Sequence, residues 1–176
     1  MKFAQEKLGR LDRPDASLET LAALAQQEGV RNVGLLLQAL RSEPTPFQAA
    51  GELMLGLWVG DELAGVGGRS WCPTVAGALR VRRFYVAPAH RRTGIGRRLA
   101  LATLDDAGAW CSLVSCNAGA SPQAAPFWES LGFVRSSVEG VTHTLRIDAA
   151  EADGVCPKVE AAPDPGSIMS CMKDRS

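Results

Sequence analysis

The sequence predicts one α/β domain, built on a mixed, mostly antiparallel sheet of six to seven strands flanked by about four helices. Two observations carry that expectation. Apolar residues alternate with period two across Glu52–Trp71 and again across Phe133–Ile147, and each stretch is broken by a Gly-containing pair, the pattern of a hairpin. Between the two hairpins, a strand-like run ending at Val86 gives way through Pro88, Gly94 and Gly96 to helical spacing at Ile95, Leu99 and Ala102. A second strand-like run follows at Cys111–Asn117. Strand, helix and strand in that order make a right-handed crossover between parallel neighbours. A length of 176 residues suits a single domain.

Each element has its own signal. Lys2–Asp12 offers a short first strand with weak alternation of Phe3, Leu8 and Leu11. Ser17 is the expected N-cap of a helix whose Leu18, Leu21, Ala22 and Ala25 recur at helical spacing, with a stop at Gly29. A second helix starts near Asn32, presents Leu36, Leu37 and Leu40 on one side, and ends before Pro44 and Pro46. Glu52–Val59 reads as a half-buried strand, and Gly60-Asp61 turns it into a partner reaching about Trp71, where Gly65, Gly67 and Gly68 imply close packing. In the next strand Leu79 and Val81 share one parity, whereas Phe84 and Val86 share the other. The switch falls at Arg82-Arg83, where one extra residue, a β-bulge, would restore register; alternatively the two arginines flank an edge. Cys111 and Cys116, five apart on the following strand, are expected on opposite faces. Ser121 is the expected cap of a short helix with Pro122 at its first position, Gly132 ends it, and Phe133–Val138 pairs with Val141–Ile147. Residues 1–152 form the expected domain, and residues 153–176, rich in Ala, Glu, Asp, Pro and Gly, a poorly ordered tail.

Composition narrows the function classes. Five cysteines without a CxxC pair and only two histidines indicate neither a zinc site nor a disulfide framework. No apolar run is long enough to span a bilayer, and Met1–Lys7 lacks the apolar region of a signal peptide, so a soluble, cytoplasmic protein without membrane association is expected. Net charge is zero, yet eight arginines and no acidic residue lie between Leu63 and Leu104 (Arg69, Arg80, Arg82, Arg83, Arg91, Arg92, Arg97 and Arg98). Such a stretch can mean nucleic acid. Here the charge gathers around a phosphate-sized turn rather than along a helical face, so no nucleic-acid partner is expected.

That turn leads into a helix start, where backbone N–H groups lack intrahelical partners and the peptide dipoles sum to about half a positive charge. Gly94 and Gly96 let the backbone take positive φ and let a bulky ligand come close. Arginines stand on both sides. The combination is a phosphate cradle. It is not a Walker loop, because no Gly-Lys pair occurs in the chain, nor a dinucleotide fingerprint, because Leu99 stands where a small third residue is needed.

Arg91-x-x-Gly94-x-Gly96, following Tyr85-Val86-x-Pro88, resembles the acyl-CoA pyrophosphate loop of the GNAT superfamily of N-acetyltransferases. Ser121–Phe133, with Phe127-Trp128 and Leu131-Gly132-Phe133, resembles the second signature of that superfamily, and Leu57–Gly65 resembles its second and third strands; together the likeness covers roughly Glu52–Asp148. The resemblance implies a GNAT fold whose fourth and fifth strands are splayed by a bulge, with the pantetheine arm lying between them. It implies acetyl-CoA as cosubstrate, no metal, and transfer of an acetyl group by direct attack of a primary amine on a small-molecule or peptide acceptor. A homodimer is compatible with it. The residues expected to contact the cosubstrate are Tyr85, Val86, Arg91, Arg92, Thr93, Gly94, Ile95, Gly96, Arg97, Ser121, Phe127 and Trp128. The first two helices would cover the acceptor, and Ala16–Ala50 carries no readable signature of which acceptor.

The catalytic half departs from the pattern. The superfamily often has a Glu on the fourth strand, where this chain has Arg80, Arg82 and Arg83, and a Tyr in the fourth helix, where this chain has Trp128. An Asn seven residues before that Tyr is replaced by Ser121. His90 and His143 are bases on chemistry alone, so the catalytic groups stay unassigned. Trp128 is expected to pack beside the pantetheine, since an indole N–H is no acid near neutral pH. An acyl-CoA sensor without transferase activity fits the same departures. A nucleic-acid-binding protein would explain the arginines but not the glycines.

Overall fold

In the computed structural model, which describes residues 5–43 and 46–147, the chain forms β1 (Glu6–Arg10), α1 (Ala16–Gln27), α2 (Asn32–Ser42), β2 (Leu53–Val59), β3 (Glu62–Trp71), β4 (Leu79–Val86), α3 (Ile95–Leu104), β5 (Leu113–Cys116), α4 (Ala124–Glu129), β6 (Val134–Arg135) and β7 (His143–Arg146). The expected tail lies outside the described residues. Seven strands make one sheet in the order β1-β2-β3-β4-β5-β7-β6, antiparallel everywhere except between β4 and β5. The expected fold class, six to seven strands in a mixed sheet with about four helices, is therefore the one observed among the described residues, which hold seven strands and four α-helices. Among the described residues no helix is long and apolar enough to cross a membrane.

Alternation along the strands divides the core. Met54, Leu63, Val66 and Tyr85 face α1 and α2, meeting Leu18, Leu21, Ala25, Val33, Leu36 and Leu40. Leu53, Leu55 and Leu57 face the other way, onto Ile95 and Leu99 of α3. β2 is thus covered on both faces rather than half buried. Leu79, Val81 and Val114 continue that second face toward Trp128 and Phe133. Gly68 is required where β2 and β3 meet, because a Cβ there would lie 2.2 Å from the Leu53 carbonyl oxygen.

Several local expectations are corrected. Asp15, not Ser17, caps α1, its carboxylate accepting from the Leu18 N–H at 2.8 Å; both residue types cap well, and the chain turns two residues earlier. Ser121 is not a side-chain cap. It opens a turn in which the Ala124 N–H donates to its carbonyl, and α4 starts at Ala124 without a side-chain cap. β5 is shorter than Cys111–Asn117, so Cys111 precedes it, and Cys111 and Cys116 join the same core cluster instead of opposite faces.

Arg69 is the largest fully buried side chain, 1% exposed. It belongs to the arginine-rich stretch but not to any basic surface. Its Nε donates to the Gly51 carbonyl (2.8 Å), Nη1 to the Thr103 carbonyl (2.6 Å) and Nη2 to the Asp106 carboxylate, which ties the C-terminal end of α3 to the sheet. Truncating it strands two carbonyls and removes the partner of the Asp106 carboxylate. Arg69→Met is expected to cost about 3 kcal/mol, a fall in Tm of roughly 6–12 °C for a domain of this size. A thermal melt showing less than about 2 °C of loss would remove Arg69 from this role.

Candidate active site

β4 carries one residue too many for its partner. β3 pairs Val66 with Tyr85 and Gly68 with Arg82, so Gly67 alone stands opposite Arg83 and Phe84. Arg83 takes φ of 55°, a conformation uncommon for a residue with a Cβ. The bulge returns Phe84 and Val86 to the face of Leu79 and Val81, as the parity switch in the sequence requires, while Tyr85 stays with α1 and α2. Gly67 makes the bulge possible, because a Cβ there would fall 2.5 Å from the Phe84 ring.

On its other edge, β4 pairs with β5 only through Leu79–Val114 and Arg80–Ser115, after which the strands part. The gap is the floor of a cavity of about 900 Å³ lined by β4 from Arg80 to Val86, by the turn before α3, by Phe127 and Trp128 of α4, and by Glu28 and Asn32 from the α1–α2 side. Ala87 donates to the Ala64 carbonyl at 2.9 Å. Donors alternate in an antiparallel ladder, so Val86 directs its N–H to the opposite, parted edge.

The turn before α3 is built for an anion. Gly94 has φ of 91° and caps α3, and Arg92 has φ of 64°. Gly96, read as equally free to take positive φ, lies in the helix, and the second positive φ falls on Arg92 instead. The first helical bond runs from the Arg98 N–H to the Gly94 carbonyl (3.0 Å), and among the described residues the N–H groups from Arg92 to Arg97 have no acceptor. Open amides at the positive end of a helix dipole favour phosphate.

Arg91 stands apart from this cradle. Its Nε donates to the Val86 carbonyl (3.0 Å), and Nη1 and Nη2 grip Glu28 in a bidentate pair at 2.8 and 2.6 Å. The Tyr85 hydroxyl donates to the same carboxylate at 2.5 Å, and the guanidinium lies 5.5 Å from the Tyr85 ring centre. The Arg91 N–H is also engaged, with the Pro88 carbonyl. These bonds hold the end of β4 against α1. The Arg91 hydrogen bond, and after it that of Tyr85, keep the Glu28 carboxyl below its usual pKa. Burial, and then the bond to Glu28, push the Tyr85 phenol well above its own.

An aromatic wall closes the other side. The Trp128 ring lies 5.0 Å from Phe84, 5.0 Å from Phe127 and 5.2 Å from Phe133, each edge-on, and is buried. These are favourable aromatic geometries. Farther along β4, Arg82 and Arg83 have guanidinium pKa values lowered by burial first, and then by the neighbouring charge of Arg80 on Arg82 and of Arg82 on Arg83.

Of the residues expected at the site, Tyr85, Val86, Arg91, Arg92, Gly94, Gly96, Arg97, Ser121, Phe127 and Trp128 line this one cavity. Ile95 is buried in the α3 core, and the Thr93 hydroxyl donates to the His90 carbonyl at 2.6 Å, so neither side chain reaches the cavity. His90 and His143 do not line it either. His143 is buried between Thr142 (2.9 Å) and Glu129 (3.3 Å), and His90 faces Glu62 at 3.3 Å. Glu28 escaped the sequence reading because its partner is 63 residues away. Asn117 and Gln123 also line the cavity without any signal in the sequence. Among the described residues no cluster of His, Cys, Asp and Glu could hold a metal.

The family model described as the acetyltransferase (GNAT) domain matches residues 23–147. A protein from Exiguobacterium sp. 255-15 assigned as an acetyltransferase superposes with a TM-score of 0.72 at 30% identity, the match covering 81% of this chain and 93% of that one. An acetyltransferase from Streptococcus agalactiae gives a TM-score of 0.64 at 12% identity, covering 81% and 98%. The ribosomal-protein-S18-alanine N-acetyltransferase of Escherichia coli gives 0.60 at 15% identity, covering 86% and 100%. At those two identities the likeness is one of fold. No curated protein matches the chain at a significant level.

The Glu28 grip makes a pH prediction. A carboxyl whose folded pKa is depressed stabilises the fold above its unfolded pKa of about 4.3, and that contribution is lost as pH falls through the folded value. Glu28→Gln should therefore melt about 1–4 °C below wild type at pH 7, and the two proteins should converge as pH is lowered below about 4. Melting curves that keep a constant separation down to pH 3 would contradict this.

Proposed function

The chain belongs to the GNAT acetyltransferase family, and from that premise we propose that it transfers an acetyl group from acetyl-CoA to a primary amine by direct attack of the amine nitrogen on the thioester carbonyl. The observation that carries the proposal is the run of open amides from Arg92 to Arg97 at the mouth of the β4–β5 gap. A pyrophosphate needs several donors within one small concavity, and this turn supplies them from the backbone, with no Cβ at Gly94 to obstruct approach. A cavity of about 900 Å³ is within the range of small-molecule sites. The residues present fit the cosubstrate.

Acetyl-CoA supplies an activated thioester; nitrogen forms a bond to its carbonyl carbon, the carbon–sulfur bond breaks, and the amine proton passes finally to the thiolate or to water. The chain's residues have four tasks. Amides of Arg92–Arg97 hold the pyrophosphate, and Arg92 and Arg97 add charge beside it. The Val86 N–H, turned to the parted edge, polarises the carbonyl as negative charge develops on its oxygen. Phe127 and Trp128 give the arm an apolar wall, and the Trp128 indole N–H, no acid near neutral pH, transfers no proton. The gap itself fixes the thioester where the amine can reach it, converting an encounter into a positioned reaction. A thiol with a pKa near 8.5 leaves readily as thiolate, so no positioned acid is required.

Calorimetry and a thiol-release assay test the proposal together. Wild type should bind acetyl-CoA and release CoA in the presence of an amine. Gly94→Val, which forces a β-branched residue toward φ of 91°, should lose at least about tenfold in acetyl-CoA affinity, a strain of roughly 1–3 kcal/mol, while remaining folded by circular dichroism. Unchanged affinity in the folded variant would remove the cradle from the account. Binding without turnover on any amine would convert the enzyme into a sensor.

A further inference from the structure

We propose that the amine acceptor carries an anionic group, a carboxylate or a phosphate, recognised by Arg80, Arg82 and Arg83. The inference rests on the transferase reading above and names the class of its second substrate.

Leu79 and Val81 lie in the α3–α4 core, so alternation puts Arg80 and Arg82 on the opposite face of β4, the face Tyr85 presents to α1 and α2. Arg83 follows at the bulge. All three line the cavity. Arg82 Nε donates to the Ser70 hydroxyl at 2.8 Å, while Arg83 Nε is buried and has no hydrogen-bond partner. Among the described residues none of the three forms an ion pair. Glu43 and Glu52 are close enough for their charge to be felt, but neither is within ion-pairing distance. Glu28, the carboxylate on this wall, is neutralised by Arg91. Three guanidinium groups crowded on one wall of a cavity, one with a desolvated donor facing no acceptor, form a site for an anion.

The anion is not part of the cosubstrate. Arg80 to Arg83 stand three to six residues before Val86, roughly 10–20 Å back along the strand from the end that meets the pyrophosphate turn. The thioester arm of CoA runs from the pyrophosphate into the gap, and the adenosine 3′-phosphate hangs on the other side of the pyrophosphate. Nothing anionic in acetyl-CoA extends past its thioester. An anion at these arginines therefore enters with the acceptor, and it would place the acceptor's amine between the guanidinium groups and the thioester.

The test uses the full chain, acetyl-CoA, and amines matched in pairs: glycine against glycinamide, glutamate against glutamine, phosphoethanolamine against ethanolamine, with spermidine as a cationic control. Thiol release gives kcat/KM for each amine, and calorimetry gives acetyl-CoA affinity separately. Wild type should favour the more anionic member of at least one pair by roughly ten- to hundredfold, the size of a charge-assisted contact. The winning pair distinguishes carboxylate from phosphate. In Arg80→Gln, whose side chain has no hydrogen bond to lose, the ratio should fall at least tenfold, and Arg83→Gln should act in the same direction, with acetyl-CoA affinity within about threefold in both. Acetylation that favours the neutral or cationic amines in wild type, or a ratio untouched by both variants, overturns the inference and leaves the transferase reading intact. Acetyl-CoA binding with no amine acetylated overturns it as well, whereas absence of acetyl-CoA binding overturns the transferase reading and this inference together.

Discussion

One surplus residue in β4, absorbed opposite Gly67, is the constraint from which the site follows. Without it, Phe84 and Val86 would point into α1 and α2, and Tyr85 would point away from Glu28. With it, β4 bends, keeps its ladder to β3, and leaves β5 after two pairs. The parting removes hydrogen-bond partners from the exposed edge of β4, which a continuous sheet would not tolerate, and an extended arm can occupy that edge instead. The same bend brings Phe84 into the aromatic cluster with Phe127 and Trp128 and sets Arg83 facing a cavity rather than solvent. A backbone irregularity of this kind is costly and persists when its surroundings fix it. Here the fixing elements are Gly67, which leaves room for the Phe84 ring, and the Arg91 grip that pins the end of the strand.

Magnitudes separate what holds the fold from what shapes the site. The Arg69 network is buried and ties α3 to β3, so its loss is felt by the whole domain. The Glu28–Arg91 pair is partly exposed, and pairs of that kind contribute about 1 kcal/mol or less. Its value lies in placement. It engages the Arg91 guanidinium and leaves open the backbone amides of Arg92–Arg97, the donors proposed for phosphate. Arg80, Arg82 and Arg83 are the opposite case. They repel one another and have no carboxylate within ion-pairing distance among the described residues, a local arrangement that lowers stability and that a bound anion would relieve.

The parts legible in the sequence were those governed by local chemistry. Pro88, Gly94 and the change of period at Ile95 marked the turn into α3, and the parity switch at Arg82-Arg83 marked the bulge. The parts that were not legible depend on distant partners or on near-equivalent residues. Glu28 gave no sign of meeting Arg91 and Tyr85, because that contact is made only when α1 docks on β4. Arg69 was one of eight arginines in a stretch without acidic residues, and only the fold surrounds it with carbonyls. Asp15 and Ser17 both cap helices well, so the choice between them was made by where the chain turns. Both glycines of the turn were read as free to take positive φ; Gly94 does so, whereas Gly96 lies inside α3 and the second positive φ falls on Arg92. Ala16–Ala50 carried no signature of the acceptor, and the wall proposed to recognise it lies on β4 instead.

We propose that the parted β4–β5 edge and the turn before α3 form one acyl-CoA site. A crystal structure of the acetyl-CoA complex tests it most directly. Pyrophosphate oxygens should lie within hydrogen-bonding distance of backbone N–H groups between Arg92 and Arg97, and the thioester carbonyl at the Val86 N–H with the arm between β4 and β5. Cosubstrate bound with its pyrophosphate away from that turn, or with its arm outside the gap, would contradict it.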